Sequence, residues 1–317
     1  MKKDATMSKL SLASYLALSL AVGWYAPEAA AAKVERDPTV SANPVPPKKA
    51  AEPQAVAPAP DLPKLTAAQI ADKNVAARGG LDKWRAVQSI KMTGRMEVGG
   101  KANNQVPFTL QMKRPNKQRL AIEFGGQTAV QVFDGEKGWK LRPFLNRPDP
   151  EPFSAEELSK TEDGPGIDGL LVDYVAKGSK IELEGTETVE GKATYRLKLT
   201  NKQGHSSHLW IDGSTFLEAK VEGHPRRFDG RMRPVQTYLS DFRPVDGLMI
   251  PHVSETKVEG AAKSHKMTVE NVAVNLALDD ALFTKPAPAA VAMGPAAALK
   301  PPAVTPSAAA SSKPKSK

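Results

Sequence analysis

The chain has 317 residues, with 44 Lys and Arg against 35 Asp and Glu, 27 prolines and no cysteine. The lack of cysteine excludes a disulfide framework, a thiolate metal site, a thiol nucleophile and an acylated cysteine. The net charge of +9 is concentrated towards the ends, because residues 1–64 carry +2 and residues 286–317 carry +4. The middle of the chain is therefore nearly balanced, which argues against a nucleic-acid partner.

The first 32 residues have the pattern of a secretory signal peptide. Three lysines within the first nine residues precede an apolar run over 10–26, and four alanines follow at 29–32. This order of basic, apolar and small residues predicts export, cleavage near Ala32 and a periplasmic location. The alternative is an uncleaved anchor helix, although the run is shorter than the ~20 apolar residues that span a bilayer comfortably.

Composition divides the rest of the chain into three parts. Residues 33–64 and 286–317 hold 15 of the 27 prolines, mixed mainly with Ala, Lys and Ser. Such segments bury too little apolar surface to offset the entropy lost on ordering. We therefore expect a disordered Pro/Ala-rich linker over 33–64, one folded domain over 65–287, and a disordered Ala/Pro/Lys-rich tail over 288–317.

The folded part is predicted to start with a helix and to continue as antiparallel strands. Ala67, Ile70, Ala71 and Val75 share a helical face after the capping residue Thr66. From residue 88 onward the apolar period falls to two, and Gly-Gly, Asp-Gly and Glu-Gly pairs supply hairpin turns. These patterns predict about ten strands in a meander, over 88–142 and 180–276.

An insertion between residues 145 and 166 interrupts the predicted meander. A short helix is expected around 155–160. Beyond it, five apolar residues at the i, i+3, i+4, i+7, i+8 spacing predict an amphipathic helix over 167–177. They are Ile167, Leu170, Leu171, Tyr174 and Val175. We expect this second helix to pack on the apolar side of the sheet and to act as a lid.

A large sheet with one apolar face has to cover that face. A sandwich, a closed barrel and a half-barrel capped by helices are the available solutions, and the two helices favour the third. The predicted fold class is therefore mainly β with helices (α+β), a curled, incomplete antiparallel β-barrel capped by helical lid elements. Because a helix is only ~10 Å across, the helices should leave a hydrophobic cleft suited to acyl chains.

The candidate lining of this cleft is rich in methionine and aromatic residues, which suit varied apolar ligands. The simpler interpretation of each residue is an ordinary packed core. The candidates are Met92, Met96, Phe108, Leu110, Met112, Leu120, Ile122, Phe124, Trp139, Leu170, Leu171, Tyr174, Tyr195 and Leu197.

Four arginines form a basic hairpin tip around the Asp229-Gly230 turn. They are Arg226, Arg227, Arg231 and Arg233. One interpretation is a solvated loop, since exposed charge is the default for arginine. The other is contact with anionic lipid head groups or with an acidic partner.

Catalytic and metal-binding patterns have no positive support. His205 and His208 are three residues apart, and on a strand they point to opposite faces. The Asp-Gly pairs are explained by turn chemistry, and the chain contains no P-loop, nucleophile elbow or HExxH motif. We predict neither a metal nor a cofactor, and no enzymatic activity. A lipid hydrolase stays a hypothesis that requires a nucleophile and a base in the cleft.

Five stretches of the folded part carry a family resemblance. They are 79–84 (GGLDKW), 132–139 (VFDGEKGW), 209–212 (LWID), 238–251 (YLSDFRPVDGLMIP) and 272–286 with Asn275, Asp279 and Phe283. They resemble the outer-membrane lipoprotein-sorting, LolA-like superfamily of periplasmic proteins. The resemblance implies an incomplete antiparallel barrel with helical lid elements and a hydrophobic cavity, and the best-known members carry lipoproteins across the periplasm by their acyl chains. We expect a monomer that binds lipid or lipoprotein acyl chains and meets membrane-bound donor and acceptor proteins. Related domains sense mislocalised lipoproteins, so an envelope sensor or scaffold that binds a protein partner is the alternative.

Overall fold

A computed structural model of the chain describes residues 61–98, 104–162 and 164–289. The predicted signal peptide over 1–32, the linker up to residue 60 and the tail from residue 290 lie outside these ranges. The helices are α1 Ala67–Ala77, α2 Leu81–Ala86 and α3 Ala155–Glu162, with 3-10 helices at Pro143–Leu145 and Asp280–Phe283. The strands are β1 Ser89–Glu97, β2 Gln105–Lys113, β3 Lys117–Phe124, β4 Gln127–Phe133, β5 Gly138–Arg142, β6 Arg147–Pro152, β7 Lys180–Val189, β8 Lys192–Thr200, β9 Ser206–Asp212, β10 Glu218–Phe228, β11 Arg231–Val245, β12 Leu248–Val258 and β13 His265–Val274.

The predicted first helix and its cap are confirmed. The Thr66 hydroxyl accepts a hydrogen bond from the backbone N–H of Gln69, and the Gln69 side chain accepts one from the backbone N–H of Thr66. This reciprocal capping box satisfies two helix-end donors. Gly79 and Gly80, with φ of 114° and 96°, end the helix and lead into α2.

The strands form one open, curled antiparallel sheet in which β1 lies in the middle. The order is β6-β5-β4-β3-β2-β1-β13-β12-β11-β10-β9-β8-β7. The chain runs from β1 out to the edge at β6, crosses to the opposite edge at β7, and returns to place β13 beside β1. The expected fold class is confirmed, with thirteen described strands where about ten were predicted. The sequence prediction did not include β6, because this strand carries three prolines, which a sheet tolerates only at an edge.

Two apolar clusters cover the concave face of the sheet. The first core cluster joins β1–β3 to β12 and β13 and includes Trp84 of α2. The second core cluster packs α1 onto β8 and β9, with Ile70 of the helix against Leu197 and Leu209 of the strands. The helices therefore cover only part of the concave face.

The predicted helix over 167–177 is wrong. Residues 164–179, here called the crossing segment, run as turns and bends between α3 and β7. Gly166, Gly169 and Asp173 adopt positive φ of 60°, 86° and 53°, which interrupts any helix. The apolar residues do not form one stripe either: Leu171 packs in the second core cluster and Val172 in the first. Val175, predicted on the buried face, is 69% exposed.

Residues 275–289, here called the convex-face segment, follow β13 and cover the opposite, convex face of the sheet. The carbonyl of Leu276 accepts from the Ser89 hydroxyl, and the carbonyl of Leu278 accepts from the Lys113 ammonium. Further along, Phe283 is fully buried against β4 and β5, and the Ala289 N–H donates to the Pro148 carbonyl beside β6. Strands β4 and β5 are therefore covered on both faces.

Gly94 is required by close backbone approach. It lies at an irregularity in the β1–β13 pairing, and a Cβ there would overlap the carbonyl oxygen of Thr268. We expect Gly94→Ala to destabilise the fold by about 1–3 kcal/mol, because the clash is with backbone. Gly223→Ala is the matched control, since its nearest neighbour would be a Val235 methyl at 3.4 Å. Equal thermal unfolding curves for the two variants would contradict this.

Asp280 makes the attachment of the convex-face segment sensitive to acid, because protonation of its carboxylate weakens the attachment. The ammonium groups of Lys113 and Lys117 lower the pKa of Asp280 to about 2. An unfolded carboxyl titrates near ~3.9, so the stabilisation is fully present above about pH 5 and is lost as pH falls towards 2. The melting-temperature difference between wild type and Asp280→Asn should shrink over that window. A difference of constant size down to pH 2 would refute the assignment.

Candidate ligand-binding cavity

The concave side of the sheet contains a cavity of about 1260 Å3. Pockets for drug-sized ligands are typically ~300–1,000 Å3, so this one is large. Its apolar wall is shared by strands from both halves of the sheet. The apolar strand residues on it are Ile90, Met92, Phe108, Leu110, Met112, Leu199, Leu209, Val221, Val235, Leu239, Ile250, Met267 and Val269.

Five of the fourteen predicted lining residues lie on this cavity. They are Met92, Phe108, Leu110, Met112 and Leu170. The other nine pack elsewhere, and for these the simpler core interpretation fits. Met96, Leu120, Ile122 and Phe124 belong to or pack against the first core cluster, and Leu171, Tyr174, Tyr195 and Leu197 belong to or pack against the second. The residues of the second cluster do not reach the cavity because α1 and the crossing segment fill the space above β8 and β9.

Trp139 was assigned to the wrong face of the sheet. It pairs directly with Val132 across β4 and β5, and directly opposed residues share a face. Val132 packs against Phe283 of the convex-face segment, and Trp139 packs with them. The tryptophan is therefore separated from the cavity by the sheet itself.

The sequence interpretation missed the contribution of β10–β13 to the cavity wall. Val235, Thr237 and Leu239 alternate along β11 and all reach the cavity. The sequence of β11 does alternate, but a threonine stands among the apolar residues on the side that faces the cavity. Thr237 and Thr256 share a hydrogen bond of 3.1 Å between their hydroxyl oxygens on the wall. These two hydroxyl groups interrupt the apolar part of the wall.

Asp168 anchors the crossing segment over the cavity. Its carboxylate accepts from the guanidinium of Arg114 and from the ammonium of Lys177, each at 3.0 Å. Its backbone carbonyl accepts from Arg78 Nη1 at 2.7 Å, and Arg78 stacks on the Trp84 ring. Charge-assisted bonds of this kind are stronger than neutral ones. Asp168 is buried, so its two cationic partners are what permit a charge there.

A second anchor holds the middle of the crossing segment. The Arg85 guanidinium donates two hydrogen bonds to the Asp173 carboxylate, at 2.9 and 2.6 Å. These bonds lower the pKa of Asp173 and raise that of Arg85. Both anchors are made by residues near α2 and the β2–β3 turn. We call this end of the sheet, where α2 lies, the helix end. The start of β12 is also at this end, because the Met249 N–H donates to the Arg78 carbonyl.

The opposite end of the sheet, here called the hairpin end, has a polar rim. Because neighbouring strands are antiparallel, the turns at 201–205, 229–230 and 259–264 all lie at this end. Asn201, His205, Pro225 and Arg226 line the cavity here. The basic hairpin is placed at this rim: Arg226 is buried, Arg227 and Arg231 are exposed, and Arg233 is half-buried, 3.5 Å from Glu259.

The described residues offer no metal site, since no three of their His, Asp or Glu side chains are grouped to hold an ion. His208 is instead bound to Glu222, and its Nε2 lies 3.2 Å from Glu184. Over the same ranges, no helix has both the length and the apolar character needed to cross a bilayer.

The candidate site is thus a large, mainly apolar cavity in a curled α+β sheet, and several solved structures are similar to this chain. A LolA superfamily protein from Nitrosomonas europaea is 18% identical, over 70% of this chain and 99% of that chain, with a TM-score of 0.47. An outer membrane lipoprotein-sorting protein domain from Vibrio parahaemolyticus is 14% identical, over 68% and 95%, with a TM-score of 0.48. The Mycobacterium tuberculosis lipoprotein LppX is 14% identical, over 67% and 98%, with a TM-score of 0.30.

No protein-family model matches the chain, and no curated protein matches it. The similar structures agree with the resemblance seen in the sequence. Identities of 18% or less and TM-scores below 0.5 establish no shared function, so function has to be argued from this chain's own residues.

Removal of the Asp168 carboxylate should loosen the crossing segment. The amides of Lys177, Gly178 and Ser179 are hydrogen-bonded within that segment. In Asp168→Asn we expect them to exchange at least about tenfold faster, on the order of 1.4 kcal/mol of local stability. Asp241→Asn is the control, because it removes an ion pair to Arg243 outside the cavity. Unchanged exchange at the three amides would show that Asp168 is not an anchor.

Proposed function

We propose that the chain is an exported, non-enzymatic binding protein whose cavity shelters acyl chains, as a lipid or lipoprotein carrier in the periplasm. The observation that carries this proposal is the cavity of about 1260 Å3, with an apolar wall drawn from both halves of the sheet. Long hydrocarbon chains match such a wall, because they need a large apolar volume and few specific polar contacts. The predicted signal peptide and the resemblance to lipoprotein-sorting proteins support the same role.

Desolvation of the ligand would supply the binding energy. Each CH2 group taken from water contributes ~0.8 kcal/mol, so a chain of a dozen or more carbons offsets the entropy lost on binding. The polar rim at the hairpin end suits the other part of such a ligand. Asn201, His205 and Arg226 would face a head group or an attached peptide while the chains lie along the apolar wall.

The crossing segment is the part of the cavity cover that we expect to yield to a ligand. One of its two ion-paired anchors is partly exposed, since the side chains of Arg85 and Asp173 are 55% and 23% exposed. Only Leu171 and Val172 of the segment are fully buried apolar residues. A cover with so few fully buried side chains opens at lower cost than a helix packed along its whole length.

Two other functions stay as alternatives. An envelope sensor or scaffold would bind a protein partner rather than transport lipid. A lipid hydrolase would need a nucleophile and a base in the cavity. The rim residues Ser206 and His208 are engaged with Thr200 and Glu222 instead, which gives a hydrolase no support.

The ligand itself is identified by native mass spectrometry of the chain purified from a periplasmic extract. Bound phospholipid or lipoprotein would support the carrier. A lipid-free chain that co-purifies with a stoichiometric protein partner would favour the sensor.

A charge placed on the apolar wall should block acyl binding. Leu239 lines the cavity and is half-buried, so Leu239→Glu puts a carboxylate beside the hydrocarbon without disrupting a packed core. We expect the Kd for a fluorescent long-chain fatty acid to rise at least about tenfold. Leu276→Glu is the matched control, at a leucine 43% exposed on the convex face. The same Kd for both variants would contradict binding at this wall.

A further inference from the structure

We propose that the tip of the β10–β11 hairpin, residues 226–233, docks on an anionic lipid bilayer and thereby presents the cavity rim to the membrane. This inference rests on the proposed function, because it assigns the surface from which an acyl ligand would be exchanged. We call these eight residues the docking tip.

The docking tip carries a concentrated positive charge. Its eight residues include four arginines and a single acid, Asp229. Arg227 and Arg231 are exposed, and the neighbouring turn at the same end adds the exposed Lys263. The two turns are adjacent, because a Cβ on Gly260 would be 3.8 Å from the Arg233 guanidinium and 4.0 Å from the Phe228 ring. The positive charge is therefore shared by two neighbouring loops.

The docking tip also exposes apolar surface among its charges. Met232 is 53% exposed, and it is one of four large apolar residues with substantial exposure in the described part of the chain. It lies directly opposite Arg227 in the hairpin, while the half-buried Phe228 lies opposite Arg231. Arginines beside exposed apolar side chains suit a membrane interface, where head groups take the cations and the acyl boundary takes the apolar atoms.

The docking tip is continuous with the rim of the cavity. Pro225 and Arg226 line the cavity, and Arg226 pairs across the hairpin with Arg233. Glu156 of α3 also lines the cavity; its hydrogen bond to Lys160 is the main cause of its lowered pKa, and the charge of Arg227 adds to it. A bilayer touching Arg227 and Met232 would thus lie next to the entrance.

An anionic bilayer fits this surface better than an acidic protein does. A specific protein interface buries roughly 1,200–2,000 Å2 in total, which an eight-residue hairpin tip does not supply alone. A membrane needs no such area, because each basic residue near an anionic surface adds to the attraction independently. Two or three arginines and one methionine are enough for a reversible contact.

The test is co-sedimentation of the full chain with vesicles. Wild type should bind phosphatidylglycerol/phosphatidylcholine vesicles, and Arg227→Gln/Arg231→Gln should reduce the partition coefficient at least about tenfold. Met232→Ser should reduce it by a smaller factor, about threefold. Binding should also weaken between 0.05 and 0.5 M salt, since the Debye length falls over that range.

The matched control removes the same charge at the helix end. Lys137 and Arg243 are exposed there, and neither lines the cavity. Lys137→Gln/Arg243→Gln should bind vesicles like wild type, and any lysines of the tail are common to all variants. Equal partition for the two double variants, or equal binding of wild type to phosphatidylcholine alone, would overturn the docking tip. Loss of capture by an acidic protein without any change in vesicle binding would assign the tip to a protein partner instead.

Failure of the docking tip is distinguishable from failure of the carrier role. Fatty-acid binding is measured without vesicles, and we expect Arg227→Gln/Arg231→Gln to keep the wild-type Kd. Normal fatty-acid binding with no anionic-vesicle dependence refutes only the docking tip. Vesicle binding without fatty-acid binding refutes the carrier role and leaves a membrane-associated protein. Thermal unfolding of each variant checks that the fold is retained.

Discussion

The main structural constraint is that the chain begins its sheet in the middle. With β1 beside β13, the chain builds outward to the edge at β6 and has to reach the other edge at β7 before it can return. The only short route lies across the concave face. A crossing of this kind cannot fill a curled sheet of thirteen strands, because it is a single layer of irregular chain. The cavity is therefore a consequence of the connectivity, and α1 and α2 reduce it without closing it.

The way in which the crossing segment is held follows from what it lacks. It has no continuous apolar stripe, because Leu171 and Val172, its two fully buried apolar residues, enter different clusters. Charged contacts supply the remaining attachment, with Asp168 and Asp173 each bound to cations near the helix end. The crossing segment is therefore attached by ion pairs at the buried Asp168 and the half-buried Asp173.

Much of the fold could be predicted from the sequence, because alternation reports a strand with one buried and one exposed face. The same rule fails where both faces are buried. Residues 129–133 in β4 are buried throughout, so no alternation indicated which face Trp139 would share. The predicted helix over 167–177 failed for a related reason: apolar residues at helical spacing were taken as one face, but they serve two separate clusters. Spacing along a chain does not encode which neighbour each residue meets.

The part of the cavity wall formed by β1 and β2 could be predicted from the sequence, whereas the part formed by β11 and β12 could not, for a chemical reason. Strands β1 and β2 present methionine and aromatic residues to it, which the sequence marks clearly, whereas β11 and β12 present Thr237 and Thr256. The hydroxyl groups of Thr237 and Thr256 are hydrogen-bonded to each other, so they can be buried without a ligand. They nevertheless make one half of the wall more polar than the other. The side formed by β1 and β2 is apolar throughout, while the side formed by β11 and β12 is adjacent to the basic rim. The apolar half formed by β1 and β2 and the hydroxyl-bearing half formed by β11 and β12 therefore offer different chemistry to an occupant of the cavity.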